Sequence, residues 1–295
     1  MSSKRLFAVG LAFACADAIA CAGAPAPKPP APPTASSPAK AAPQSGALFA
    51  SVRDALLPIG CYDAGKRAWG AGAACTSLVP KGARVALEAG APRAIVGDEA
   101  PDLGCDLGPL LRTDGPSMGY AAWPLDLRAT VRLEPPRRGL ERPPPLSAED
   151  GAKIAAQLKG PDAPGVEPLE GSVVATLDLD GDGKDDRVLV VHLAPAAPHA
   201  RFGFVGALFV ARSAAGRVDL VTAEEGAELE LRGTLDVDRD GVRELWWRAS
   251  VCEDDGPSET LSEGLAHLAS DRVERVGEVV VGGQGTCASD WLESP

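Results

Sequence analysis

The chain is expected to be mainly β. Two four-stranded antiparallel repeats, packed as a sandwich or an open pair, should join a small N-terminal β-rich domain and one short helix. Three observations predict this. Runs of β-branched and apolar residues alternate with Gly, Asp and Ser clusters through residues 166–292, as strands and turns require. That segment holds an internal repeat: Thr176-Leu-Asp-Leu-Asp-Gly-Asp-Gly-Lys-Asp-Asp186 aligns with Thr234-Leu-Asp-Val-Asp-Arg-Asp-Gly-Val-Arg-Glu244 at a constant offset of 58 positions. Each copy is an acidic loop with strand-forming residues on both sides.

The elements follow from the N-terminus. Lys4 and Arg5 precede a mostly apolar run over 6–20, too short for a free-standing membrane helix, with small Ala18 and Ala20 before Cys21. This reads as a signal peptide over 1–20. Ala-Ile-Ala before Cys21 resembles the lipobox of bacterial lipoproteins, although Ala18 stands where leucine is usual and Asp17 interrupts the apolar run. The resemblance implies lipidation at Cys21 and an exported chain facing the outer membrane or periplasm. Lipidation at Cys15, or cleavage without a lipid and a soluble secreted product, are the alternatives.

Residues 21–46 are Pro, Ala and Ser with almost no large apolar side chain, so they form an extended tether rather than a core. Residues 47–133 read as a small β-rich domain. Within it, 48–57 suits a short helix ending before Pro58, 84–87 and 94–97 suit short strands, and 125–133 suits a half-buried strand. Residues 134–165 are a Pro-rich spacer and a short helix. Ser147 is its N-cap, Glu149 and Asp150 occupy the first turn, Ile154, Ala155 and Leu158 make its apolar face, and Gly160-Pro161 stops it. Residues 166–292 are the two-repeat domain. The first copy has strands over 173–177, 187–193, 204–211 and 218–222. The second has strands over 229–235, 245–251, 265–269 and 273–281.

Seven cysteines occur, at 15, 21, 61, 75, 105, 252 and 287. With Cys15 removed and Cys21 lipidated, an oxidising compartment would pair Cys61 with Cys75 and Cys252 with Cys287, leaving Cys105. A Cys75–Cys105 pair is the competing connectivity. Zinc is the rival use, but no CxxC and no nearby His supports it.

The two acidic loops carry the chemistry. Carboxylates fall at relative positions 1, 3, 5 and 9, with Gly at 6: Asp178, Asp180, Asp182, Gly183 and Asp186, then Asp236, Asp238, Asp240, Gly241 and Glu244. Position 7 would add a backbone carbonyl, from Lys184 or Val242. So many hard oxygen ligands suit calcium; magnesium, which demands tighter geometry, comes second, and softer metals want Cys or His. An EF-hand begins alike but needs Glu at position 12 and a following helix. Here position 12 is Leu189 or Trp247, in strand-forming sequence. A solvated acidic turn is the competing reading. Arg239 and Arg243 could neutralise the second loop without an ion, which would weaken its affinity.

With strands on both sides, the DxDxDGxx[DE] loops resemble the FG-GAP/VCBS-like calcium repeats of β-propeller and adhesion proteins. The resemblance spans at most about 120 residues and implies the same ligands. Family propellers use many more blades, and two repeats cannot close a ring.

A formal net charge of -12 disfavours nucleic acid, whose phosphates need basic partners. Contact with the membrane would run only through the lipid at Cys21. The expected role is binding or adhesion at the cell envelope, toward a protein or a glycan; adjacent strand residues face opposite ways, so one of Trp246 and Trp247 is expected in the core and the other exposed, where it could serve as a platform. The alternative is an exported hydrolase with calcium as a structural ion. Gly115-Pro-Ser-Met-Gly119 matches G-x-S-x-G, but lacks the strand before and the helix after that a nucleophile elbow needs. No catalytic residue is assigned. His192 and His267 fall in strand-forming sequence and read as packing or edge residues.

Overall fold

A computed structural model describes residues 42–99, 108–127, 131–132, 144–159, 163–196, 202–252 and 259–282, all within one compact unit. The strands are β1 (Gly46–Asp63), β2 (Ala68–Gly70), β3 (Arg84–Leu87), β4 (Arg93–Gly97), β5 (Leu111–Trp123), β6 (Val131–Arg132), β7 (Gly165–Leu177), β8 (Asp186–Pro195), β9 (Val205–Arg212), β10 (Arg217–Glu225), β11 (Ala227–Leu235), β12 (Glu244–Cys252), β13 (Glu259–Leu268) and β14 (Val273–Gly282). The helices are α1 (Ala73–Thr76) and α2 (Ala148–Gln157). They build three antiparallel sheets. The first has the order β2-β1-β5-β3-β4, the second β10-β9-β8-β7 and the third β14-β13-β12-β11-β6.

The protein is thus mainly β, with each repeat forming four consecutive antiparallel strands. The third sheet lies between the other two. One core joins Ala175, Val188, Leu208 and Val210 of the second sheet to Leu231, Leu245, Trp247 and Ala249 of the third. Another joins Leu48, Ala50, Val52 and Leu57 of β1 to Leu235, Trp246 and Leu265 of the third sheet. The described residues of 47–133 and the second repeat therefore share a core, and β6 extends the third sheet by pairing Arg132 with Gly233 and Val131 with Thr234. The outer face of the second sheet, including Leu189, Val191 and Phe209, is covered by Ile154 and Leu158 at α2. Ser147 caps α2 as expected: its Oγ accepts the Asp150 N–H at 3.0 Å.

Two local expectations are corrected. Residues 48–57 are strand, not helix. Leu48, Ala50 and Val52 enter one core while Ala47 and Phe49 enter another, so both faces are apolar and no alternation marks the strand. Pro58 is tolerated because β1 pairs with β5 up to Leu56 and with β2 from Cys61, leaving its missing N–H outside both ladders. Nor is 125–133 one strand. The chain turns after Trp123, with Leu127 N–H donating to Pro124 O at 2.9 Å, and among the described residues of this segment only Val131–Arg132 is extended. The long strand β5 was hidden by the glycines and proline of its middle.

Candidate metal centre

Each acidic loop leaves one strand and enters the next: β7 to β8 in the first repeat, β11 to β12 in the second. The last carboxylate of each motif, Asp186 or Glu244, is the first residue of the strand that follows. This is strand–loop–strand geometry, not the loop–helix of an EF-hand. The reversal depends on left-handed backbone at positions 4 and 6. Gly181 and Gly183 have φ of 76° and 83°, and Arg239 and Gly241 have 61° and 91°.

The turn draws carboxylates together. Oxygens of Asp178, Asp180 and Asp186 lie within 4.8 Å of one another, and so do those of Asp236, Asp238 and Glu244. These are positions 1, 3 and 9 in both copies. The position-5 aspartates stand outside the trios and brace the turns instead. Asp182 Oδ1 accepts the Lys184 N–H at 2.8 Å, and Asp240 Oδ1 accepts the Val242 N–H at 2.7 Å. Lys184 is exposed, while Val242 packs partly against the core between the second and third sheets.

Backbone donors hold the trios in place. In the first loop, Asp178 accepts N–H groups from Gly181 at 2.8 Å and Gly183 at 3.0 Å. Asp186 accepts those of Leu179 at 3.3 Å and Ser213 at 2.8 Å. In the second loop, Gly241 N–H donates to Asp236 Oδ2 at 3.1 Å and Val237 N–H to Glu244 Oε2 at 2.7 Å. Asp236 Oδ1 is closed to solvent and has no hydrogen-bond partner.

Charge in these loops is poorly compensated by the protein. Asp186, Asp238 and Glu244 are 1 %, 4 % and 0 % exposed. Burial raises the Asp186 and Asp236 carboxyls above their ordinary value. Burial, and then Asp240 beside it, pushes Asp238 up to about 6. Burial also lifts Glu244 well above the usual carboxylate range, against the pull of the Val237 N–H. Burial disfavours the charged form of such groups, and a bound cation would favour it.

Of the two arginines in the second loop, Arg239 does not supply that cation. Arg239 turns outward to Asp126 and donates to Gln44 Oε1 at 2.8 Å, and Gln44 N–H donates to Asp238 O at 2.6 Å. The reading in which Arg239 and Arg243 could neutralise the carboxylates is corrected for Arg239 on this ground.

One neighbour was missed from sequence. His267 Nδ1 is hydrogen-bonded to Glu244 Oε1 at 2.9 Å, and its ring stacks on Trp69 with centroids 4.8 Å apart. Residues 244 and 267 meet only because β12 and β13 pair Leu245 with Ala266.

Of the other expected sites, Cys61 and Cys75 are bridged, with Cα atoms 5.4 Å apart. Cys252 ends β12; its side chain, together with Cys15, Cys21, Cys105 and Cys287, lies outside the described residues. Gly115–Gly119 runs within β5, where the backbones of Ser117 and Arg53 are ladder partners. Trp246 and Trp247 are both fully buried, which corrects the expectation of an exposed platform: the third sheet is covered on both faces, so both sides of β12 are core. No protein-family model, no curated protein and no solved structure matches the chain.

Proposed function

We propose that the chain is a cell-envelope lipoprotein whose β-repeat module is stapled by two divalent cations, calcium by preference, and serves a binding or adhesion role toward an envelope protein or glycan. The observation that carries the metal reading is the convergence, in both repeats, of carboxylates at motif positions 1, 3 and 9. The donors are all oxygen and include buried carboxylates without a Lys or Arg partner among the described residues. Calcium suits such a set because it accepts six to eight oxygens in flexible geometry, and carbonyls and water can complete the shell. Extracellular calcium modules bind at about 10⁻⁴–10⁻³ M, so both loops would be filled constitutively outside the cell. The ions then act as staples rather than sensors. Export and the lipid at Cys21 rest on the leader, and the tether over 21–46 would hold the module away from the membrane.

Thermal unfolding in calcium, in magnesium and in chelator tests this. At 2 mM calcium a site of 10⁻⁴ M affinity stabilises the fold by about 2 kcal/mol. The midpoint should rise with calcium, rise less with magnesium and fall on chelation. A midpoint indifferent to all three would remove the metal reading for both loops.

A further inference from the structure

The two acidic loops touch. Arg243 N–H donates to Leu179 O at 2.8 Å. Leu179 sits between Asp178 and Asp180 of the first trio, and Arg243 directly precedes Glu244 of the second. A Cβ added at Gly181 would stand 3.2 Å from the Gly241 carbonyl, so the tips of the two turns are also packed together. Leu179 itself is fully buried and belongs to the same core as Leu245, the residue after Glu244.

We infer that the two cation sites are coupled, so that an ion in either loop raises the affinity of the other through the Arg243–Leu179 hydrogen bond and the Gly181–Gly241 contact. The inference rests on the metal reading above. The second trio supports that reading beyond its carboxylate count, because Asp236 Oδ1 is shut from solvent without a partner and Asp238 is buried beside it.

The physical argument is one of shared ordering. An ion fixes the peptide groups between its ligands. In the first loop these include the Leu179 carbonyl, and in the second the Arg243 amide. Fixing one end of a hydrogen bond restricts the other, so the second ion meets a loop already partly ordered. Electrostatics opposes this, since an ion in one loop removes negative potential from the other. The part of that opposition that passes through solvent is screened over about 8 Å at physiological salt, the part between buried carboxylates much less, and the backbone contact not at all. Added salt should therefore enlarge the coupling.

Calcium titration calorimetry on the intact, chelator-stripped chain tests it. Asp180→Asn disables the first site and Asp238→Asn the second. Coupling between sites is typically about 5- to 150-fold. Each variant should show its surviving site weakened by at least about 5-fold relative to that site with its neighbour filled, and linkage requires the same factor in both directions. Two calcium ions taken up by the unmodified chain, with surviving sites unchanged within about 2-fold, would overturn the coupling and leave the metal reading standing. A loss in one direction only would also overturn it, because local damage need not be reciprocal. No calcium uptake by the unmodified chain would overturn both.

Discussion

Leu179 and Val237 hold the same second position in the two loops, and both are fully buried, but in different cores. Leu179 packs between the second and third sheets, and Val237 between the first and third. The flanking residues, Asp178 and Asp180 or Asp236 and Asp238, converge instead as members of a trio. In each bend one inward apolar anchor therefore stands between two carboxylates that meet at a common point.

Removing the anchor should therefore damage both fold and ion site. Leu179→Ala is expected to destabilise the protein by about 2–5 kcal/mol and to weaken calcium uptake at the first loop. Leu169→Ala, at an exposed position of β7, should stay within about 0.5 kcal/mol and leave uptake unchanged. Denaturant unfolding and calcium titration of the two variants make the comparison.

The left-handed positions give a second contrast. A methyl group at Gly183 or Gly241 would meet nothing within 4 Å, so its effect is confined to backbone strain at φ of 83° or 91°. Gly183→Ala and Gly241→Ala should each cost about 1–2 kcal/mol. Arg239 already carries such strain at φ 61°. Arg239→Gly relieves it and gives up the ion pair with Asp126, worth under about 1 kcal/mol, together with the hydrogen bond to Gln44. Strain relief offsets these losses and the entropy of glycine, so that variant should stay within about 1 kcal/mol of the unmodified chain in denaturant unfolding, unlike the two glycine-to-alanine changes.

The repeats were legible because polar loops with Gly and Asp punctuate strands whose apolar content is high. The spacing of Asp178, Asp180 and Asp186 was legible for the same reason: ligands close in sequence need only a turn to meet. Burial on both faces erased the rest. In β1 it removed the alternation that marks a strand, and in β12 it placed Trp246 and Trp247 in opposite cores rather than one in solvent. The His267–Glu244 contact depends on cross-strand register, which no local pattern carries.

His267 should matter most when the loop holds no ion. Without its ring, the buried Glu244 carboxyl group keeps, among the described residues, only the Val237 N–H. His267→Ala is expected to cost about 1–3 kcal/mol in chelator and less in saturating calcium, where the ion supplies the compensating charge. Glu244→Gln replaces the carboxyl group that His267 Nδ1 bonds, so the double variant should fall short of additivity by at least about 0.5 kcal/mol in chelator. Unfolding curves for the four proteins, with and without calcium, measure this; strict additivity in chelator would count against the contact.

Acid should act in opposite directions on the metal-free and calcium-loaded protein. Asp238 has an ordinary value of 3.8 and is pushed up to about 6 in the fold by burial and by Asp240, with His267 pulling the other way. Its proton is held more tightly folded than unfolded. In chelator the folded state therefore gains stability as pH falls from about 6 toward 3.8, by at most about 3 kcal/mol from this group. Asp186, Asp236 and Glu244 are raised as well and act in the same direction. With calcium the sign reverses, because the ion needs ionised carboxylates and must displace these protons. The increment that calcium adds to the melting midpoint should be full at pH 7 and above, and shrink as pH falls through about 6. Melting curves at pH 7.5, 6 and 5 (roughly spaced to bracket that value), each with calcium and with chelator, should converge toward acid. Curves that stay equally far apart at all three would mean that the carboxylates which titrate are not those that hold the ion.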